Sequence, residues 1–275
     1  MTPEEYRRRQ AGITSALRAV LLPLVRSLRG RPTDREWRAF LDAAYAAIVR
    51  ARAESWEVAA DFYAAQRRAQ LGAAPADDPP SPPDNPPEDH GDAEPGRLTP
   101  VPDHGDGTAD VPRRNYPPRA VNSAYRRVRA QLDALDDDEA VPPGLAESAV
   151  RVGERHARDA GREAVVDAAR HDPAALGYAR RALSQSPCAF CLMLASRGPV
   201  YQDASTALLR DGQAEPYHDN CACVAVPVFH RQRWPGRDEA ERLEREWRRA
   251  GGTLADWRRH LAEQRQSERD RPAAA

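Results

Sequence analysis

The sequence predicts a mainly α fold with a small β-hairpin segment, its two helical parts joined by a disordered acidic, proline-rich linker. Three observations carry that expectation. Apolar residues recur at three- and four-residue spacing on both sides of residues 73–118. That stretch holds 13 of the 25 prolines. One β-branched, alternating run, Cys221–Phe229, stands out in an otherwise alanine- and arginine-rich chain.

The first part, residues 1–72, reads as two helices. Thr2-Pro3-Glu4-Glu5 supplies an N-cap, a proline at the first helical position and a glutamate three residues after the cap. Ile13, Leu17, Leu21, Leu24 and Leu28 then mark one face. Gly30-Arg31-Pro32 breaks the helix, and Thr33-Asp34-Arg35-Glu36 repeats the capping pattern. Trp37, Leu41, Ala44, Ile48, Trp56 and Tyr63 mark the inner face of a longer helix ending near Gly72. With 13 arginines against eight acids the region is net +5. No basic-aromatic groove pattern accompanies that charge, so it reads as a solvated face on a helical pair.

Residues 73–118 carry ten acids and three arginines, a net charge of −7. Paired prolines favour extended chain, and apolar side chains are too sparse to offset the entropy of ordering it. The total charge of −1 therefore hides an acidic tether between mildly basic parts. His90 and His104 sit in this tether and read as solvated.

Beyond the linker, residues 119–235 form a second helical part. Tyr125, Val128, Leu132 and Leu135 mark one helix. Leu145, Ala149, Val152, His156 and Ala160 mark a longer one, with His156 read as a packing residue. A short helix is expected after Asp172-Pro173, carrying Leu176, Tyr178 and Leu183. Gly198-Pro199-Val200-Tyr201 reads as a turn into a short strand, Ala204–Leu209 as a helical turn, and Cys221–Phe229 as the best strand. Residues 236–275 are a charged helical C-terminal tail, Asp238–Ala250 and then Leu254–Gln266, anchored by Leu243, Trp247, Leu254 and Trp257.

All four cysteines fall within residues 187–229, as Cys188-Ala-Phe-Cys191 and then His218-Asp-Asn-Cys221-Ala-Cys223. Cys-x2-Cys turns two thiolates toward one ion, and His218-x2-Cys221 repeats the spacing. Two such knuckles joined by a hairpin make a tetrahedral site with soft donors, which suits structural Zn²⁺. Five candidates compete for four positions: Cys188, Cys191, His218 and Cys221 are the preferred set, and Cys223 is the substitute. On a regular strand Cys221 and Cys223 face the same side, and His218 then has a second role available, holding a thiolate from behind. Disulfides fit poorly, because the first residues lack the apolar core of a secretory signal and a reducing compartment is expected. A redox Cys-x-x-Cys normally follows a strand, whereas here a helix precedes it.

Catalytic patterns are missing. No serine sits in Gly-x-Ser-x-Gly, and there is no phosphate-cradling glycine loop or His-Glu-x-x-His. No apolar run reaches the roughly 20 residues that span a bilayer, so no membrane partner is expected.

Ser186-Pro187-Cys188-Ala-Phe-Cys191-Leu-Met-Leu-Ala-Ser-Arg-Gly-Pro-Val-Tyr201, then Tyr217-His218-Asp-Asn-Cys221-Ala-Cys223 and Val226-Pro227-Val228-Phe229, resembles the MuF-like minor head proteins of tailed bacteriophages and prophages, of the actinobacterial kind. The close resemblance covers residues 186–229, and a looser one reaches back to 119 and forward to Arg237. That family often has a basic residue between its last two cysteines, where this chain has Ala222. The resemblance implies a non-enzymatic minor capsid protein acting in head morphogenesis. It implies a place in the virion, inside the head near the portal, reached from the host cytoplasm during assembly. The implied partners are the portal and the capsid and scaffold proteins, with weak contact to DNA. The alternatives are a capsid maturation protease or a DNA-associated head protein ejected with the genome.

Overall fold

The computed structural model describes residues 1–72, 116–184, 187–199 and 223–270. Both expected capping boxes form. The Thr2 hydroxyl accepts the Glu5 amide and the Glu5 carboxylate accepts the Thr2 amide, opening α1 (Pro3–Arg26). Thr33 and Glu36 do the same for α2 (Asp34–Leu71), which stops where Gly72 takes a φ of 87°. Such reciprocal caps satisfy amide donors that a helix start leaves without partners. Proline opens α3 (Pro118–Leu132) and α4 (Pro143–His171), where its missing amide costs nothing. The remaining elements are β1 (Gly177–Ala182), α5 (Ala189–Ala195), β2 (Cys223–Val228), α6 (Arg237–Arg249) and α7 (Leu254–Asp270). No helix among the described residues is long and apolar enough to cross a membrane.

Helices α1, α2 and α4 lie side by side and thread two cores. One core joins Leu17, Leu21 and Val25 of α1 to Phe40 and Ile48 of α2, with α3 and the first half of α4 closing it. The other joins Tyr6 of α1 to Trp56 and Phe62 of α2, Val165 of α4, the two strands, and α5, α6 and α7. The order of these residues makes α1 antiparallel to α2 and α4 parallel to it. The N-terminal helical pair thus shares both cores with elements beyond the linker.

Small residues on α4 permit this close packing. A Cβ on Gly153 would lie 2.4 Å from Leu21 Cδ1 and 3.0 Å from the Tyr125 hydroxyl. One on Gly161 would meet a buried polar layer between the cores. There Ser55 Oγ donates to Gln10 Oε1 at 2.7 Å, Gln10 Nε2 donates to the Ser55 carbonyl at 3.0 Å, and the Gly161 amide donates to Ser55 Oγ at 3.1 Å. The halves are joined again at the base. The Gly30 amide donates to Glu139 O at 2.9 Å and the Arg31 amide to Leu132 O at 3.0 Å.

The hairpin differs from expectation. Residues 177–182, expected as part of a short helix, form β1, paired antiparallel with β2 from Gly177↔Val228 to Ala182↔Cys223. Tyr178 at 2% and Ala179 at 0% exposure show why. The segment is buried on both faces, so its apolar spacing carries no helical period, and pairing with β2 satisfies its backbone groups. Gly198 lies in the turn after α5. The expected strand at Val200-Tyr201, the turn at 204–209 and residues 73–115 of the linker expected over 73–118 fall outside the described residues; the end of that linker is corrected, because Tyr116 is buried in the core with α1, α2 and α3, and Pro118 already opens α3.

Candidate functional site

The first cysteine pair forms a turn at the head of α5. Cys188 is the N-cap residue, and its Sγ accepts the Cys191 amide at 3.2 Å. Cys188 is half-buried and Cys191 is buried at 4% exposure. A seven-residue helix has little stability of its own; α5 holds its shape because Leu192, Met193, Leu194 and Ala195 are all buried.

The C-terminal helices brace this turn. Trp257, fully buried, donates its indole N–H to the Ala189 carbonyl at 3.1 Å, and Arg265 Nη2 donates to the Pro187 carbonyl at 3.0 Å. Trp247 meets Trp257 edge to face with centroids 5.8 Å apart, and His260 stacks on it at 5.6 Å. What the sequence presents as a charged tail therefore packs against the Cys-x2-Cys turn over residues 237–270.

Cys223 opens β2 and is buried at 3% exposure, in the same core as Cys191. Its carbonyl accepts Nε and Nη2 of Arg162 at 3.2 and 3.1 Å, while Arg162 Nη1 donates to Asp159 at 2.6 Å. At the far end of β2, Gln70 Nε2 donates to the Pro227 carbonyl and its Oε1 accepts the Phe229 amide, both at 2.9 Å. Among the described residues β2 has one partner strand, so its outer edge points groups at the helices, and the Arg162 and Gln70 side chains satisfy them. Pro227, with no amide to offer, suits that edge.

Of the five expected ligands, the structure brings Cys188, Cys191 and Cys223 into one region; His218 and Cys221 fall outside the described residues. No disulfide joins the three described cysteines to one another. Among the described residues no group of three or more His, Cys, Asp or Glu side chains is arranged to hold a metal. Arg162, Gln70 and Trp257 were not singled out for these roles from sequence. A helical projection carries a signal for Arg162: it shares a face of α4 with the buried Val165 and Ala169.

Other polar groups among the described residues take part in packing. His156 lies against Tyr116, with centroids 5.0 Å apart, and its Nε2 is 3.1 Å from Arg155 Nη2. Burial, reinforced by Arg155 and Arg52, pushes its pKa down to about 3. Arg52, at 1% exposure, donates to the His156 carbonyl and to Glu163, both at 2.8 Å, and covers the Tyr116 ring. Burial raises the Glu163 carboxyl despite that arginine, and likewise raises Asp167. Ser196, also buried, donates to the Met193 carbonyl at 2.7 Å.

A family model described as VG15 protein matches residues 103–250, more than half of the chain. The chain belongs to the VG15 protein family. The match spans α3, α4, the hairpin, α5 and α6, and so includes every candidate ligand and Arg162; α1, α2 and α7 lie outside it. Two curated relatives are phage proteins. The Gene 15 protein of Mycobacterium phage D29 is 33% identical, over 45% of this chain and 53% of the relative. The Gene 15 protein of Mycobacterium phage L5 is 31% identical, over 46% of this chain and 54% of the relative. The chain thus spans about half the length of the curated relatives it matches, and its origin is a bacteriophage. No solved structure matches it significantly.

Proposed function

We propose that this VG15 protein is a non-enzymatic minor capsid protein of the MuF-like kind, acting in phage head morphogenesis near the portal. In this reading a structural Zn²⁺ folds its cysteine segment. The observation that carries the reading is the braced Cys188–Cys191 turn, set in the same core as Cys223. The chain re-enters the described fold at Cys223, two residues after Cys221 and five after His218. The donor set suits zinc: thiols with soft sulfur, a backbone N–H already aimed at Cys188 Sγ, and apolar surroundings that exclude competing water. Cys188 and Cys191 belong to every ligand set; His218 with Cys221 or Cys223 completes it. When bound, the ion supplies folding energy to a segment with little apolar mass of its own.

The implied partners are the portal and the capsid and scaffold proteins. A surface role fits the remaining side chains. Ser196 has its hydroxyl hydrogen directed to a carbonyl, and the His156 ring has two arginines as its charged neighbours. Neither is arranged as a nucleophile with its base.

Elemental analysis of the full chain, purified without added metal, should find about one zinc per chain, in line with one tetrahedral site. Cys188→Ser with Cys191→Ser should abolish it. In phage particles the protein should be a minor band beside the portal, and the same double change should lower its incorporation. A metal-free protein with all four thiols titrating freely would remove the zinc reading. A single serine or histidine change that abolished capsid-protein cleavage without altering incorporation would replace the assembly role with a protease.

A further inference from the structure

The two ends of the outer edge of β2 are closed in different ways. At the Phe229 end a neutral amide suffices: Gln70 meets the Pro227 carbonyl and the Phe229 amide at 2.9 Å. At the Cys223 end the donor is a charged side chain, Arg162, buried at 4% exposure. We propose that Arg162 is a positioning residue for the cysteine segment. Its grip on the Cys223 carbonyl fixes where the chain re-enters the core after His218 and Cys221, and so sets how tightly the segment holds Zn²⁺. The effect on Zn²⁺ rests on the zinc reading given above; the placing of Cys223 does not.

Burying a guanidinium is costly unless it is paired and hydrogen-bonded. Asp159, three residues back on α4, offsets that cost by accepting Arg162 Nη1 at 2.6 Å. What the charge adds over a neutral amide is strength and direction. Nε and Nη2 both reach the one carbonyl, at 3.2 and 3.1 Å, and charge-assisted bonds from a planar fork are stronger and more directional than those of an amide. On its other side Cys223 pairs with Ala182 of β1, so the residue is held from both edges. Cys221 is two residues away. An extended chain spans about 3.6 Å per residue, so pinning Cys223 confines Cys221 to within about 7 Å of it. The first cysteine pair is anchored separately: Trp257 and Arg265 of α7 hold the Ala189 and Pro187 carbonyls on either side of Cys188. Anchoring the two halves on α4 and α7 lowers the ordering cost of bringing them to one ion. Groups that orient metal ligands in this way typically change affinity by about 10–100-fold.

The test uses the full chain and three variants. Arg162→Met removes the side-chain donors, Arg162→Lys keeps the charge but loses the fork, and Gln70→Leu releases the far end of the same strand as the control. Zn²⁺ affinity is measured by competition with a chromophoric chelator. Arg162→Met should bind about 10–100-fold more weakly than wild type, Arg162→Lys should fall in between, and Gln70→Leu should stay within about twofold of wild type. In parallel, metal-free chains are alkylated with iodoacetamide under native conditions, and modification of Cys223 and Cys191 is read by mass spectrometry. Both thiols are buried in one core, so unfolding of that core exposes them together and their ratio isolates local release of Cys223. Arg162→Met should raise the ratio of Cys223 to Cys191 modification about tenfold, the effect of losing a hydrogen bond to a charged donor. Gln70→Leu should leave it near the wild-type value. Equal zinc affinity in wild type and Arg162→Met, or equal weakening in Gln70→Leu, overturns the inference and leaves the zinc reading standing. A wild-type chain that takes up no zinc overturns the zinc reading and the affinity role with it; the alkylation ratio still decides whether Arg162 places Cys223, and an unchanged ratio overturns that as well. If Arg162→Met fails to fold by circular dichroism, Arg162→Lys decides by the same two measurements.

Discussion

Replacing Gly161 by alanine tests the packing that holds the cysteine region against the long helices. In most exposed helix interiors this change stabilises by up to about 1 kcal/mol, because alanine loses less backbone entropy. At Gly161 the new Cβ would lie 2.7 Å from both Ser55 Oγ and the Tyr6 hydroxyl and 2.8 Å from Gln10 Nε2. All three atoms belong to buried residues. Moving them apart disturbs the Ser55–Gln10 pair and the Gly161 amide bond to Ser55. Each hydrogen bond contributes about 1 kcal/mol net, and overpacking costs about 1–3 kcal/mol. Set against the helix gain, the expected result is a loss of about 2 kcal/mol. Gly12, in α1, provides the internal reference, since a Cβ there meets nothing within 4 Å. Gly12→Ala should stabilise by about 0.5–1 kcal/mol. Urea unfolding of both variants and the wild type, followed by far-UV circular dichroism and fitted with a shared slope, gives the comparison. A Gly161→Ala protein as stable as Gly12→Ala would refute the close approach of α4 to α1 and α2.

Two further outcomes follow from the same architecture. The His156 pKa, lowered to about 3 in the folded state, means that below about pH 6.5 the unfolded chain binds a proton the folded chain refuses. His156 therefore costs stability as pH falls from about 6.5 towards 3, at a slope of at most about 1.4 kcal/mol per pH unit, and has no effect above that window. Glu163 and Asp167, raised by burial, act in the opposite sense, so the measurement is the difference between wild type and His156→Phe across pH 4–7; parallel curves would show that the ring is not desolvated. A protease site inserted within residues 73–115 should yield two fragments that co-elute in gel filtration, because α2 and α4 share both cores; separation of the fragments under native conditions would contradict that packing.

Local interactions explain what was legible in sequence. The capping boxes at Thr2 and Thr33, the proline starts and the long amphipathic repeats are satisfied within a few residues, so α1, α2, α3, α4, α6 and α7 follow from the chain itself. The β-branched run that becomes β2 and the Cys-x2-Cys turn are local in the same sense, since Cys188 caps the helix bearing Cys191. The strand partner was not legible. Residues 177–182 carry apolar spacing compatible with a short helix, and they become a strand only because β2, more than 40 residues on, is there to pair with them. Also non-local are the contacts that fix the cysteine region in place. Arg162 reaches Cys223 across 61 positions, Trp257 reaches Ala189 across 68, and Gln70 reaches Pro227 across 157. Spacing within a short window encodes turns, caps and ligand pairs. Which distant helix satisfies the exposed edge of a strand is set by chain folding, because a buried carbonyl takes whatever donor the packed core delivers to it.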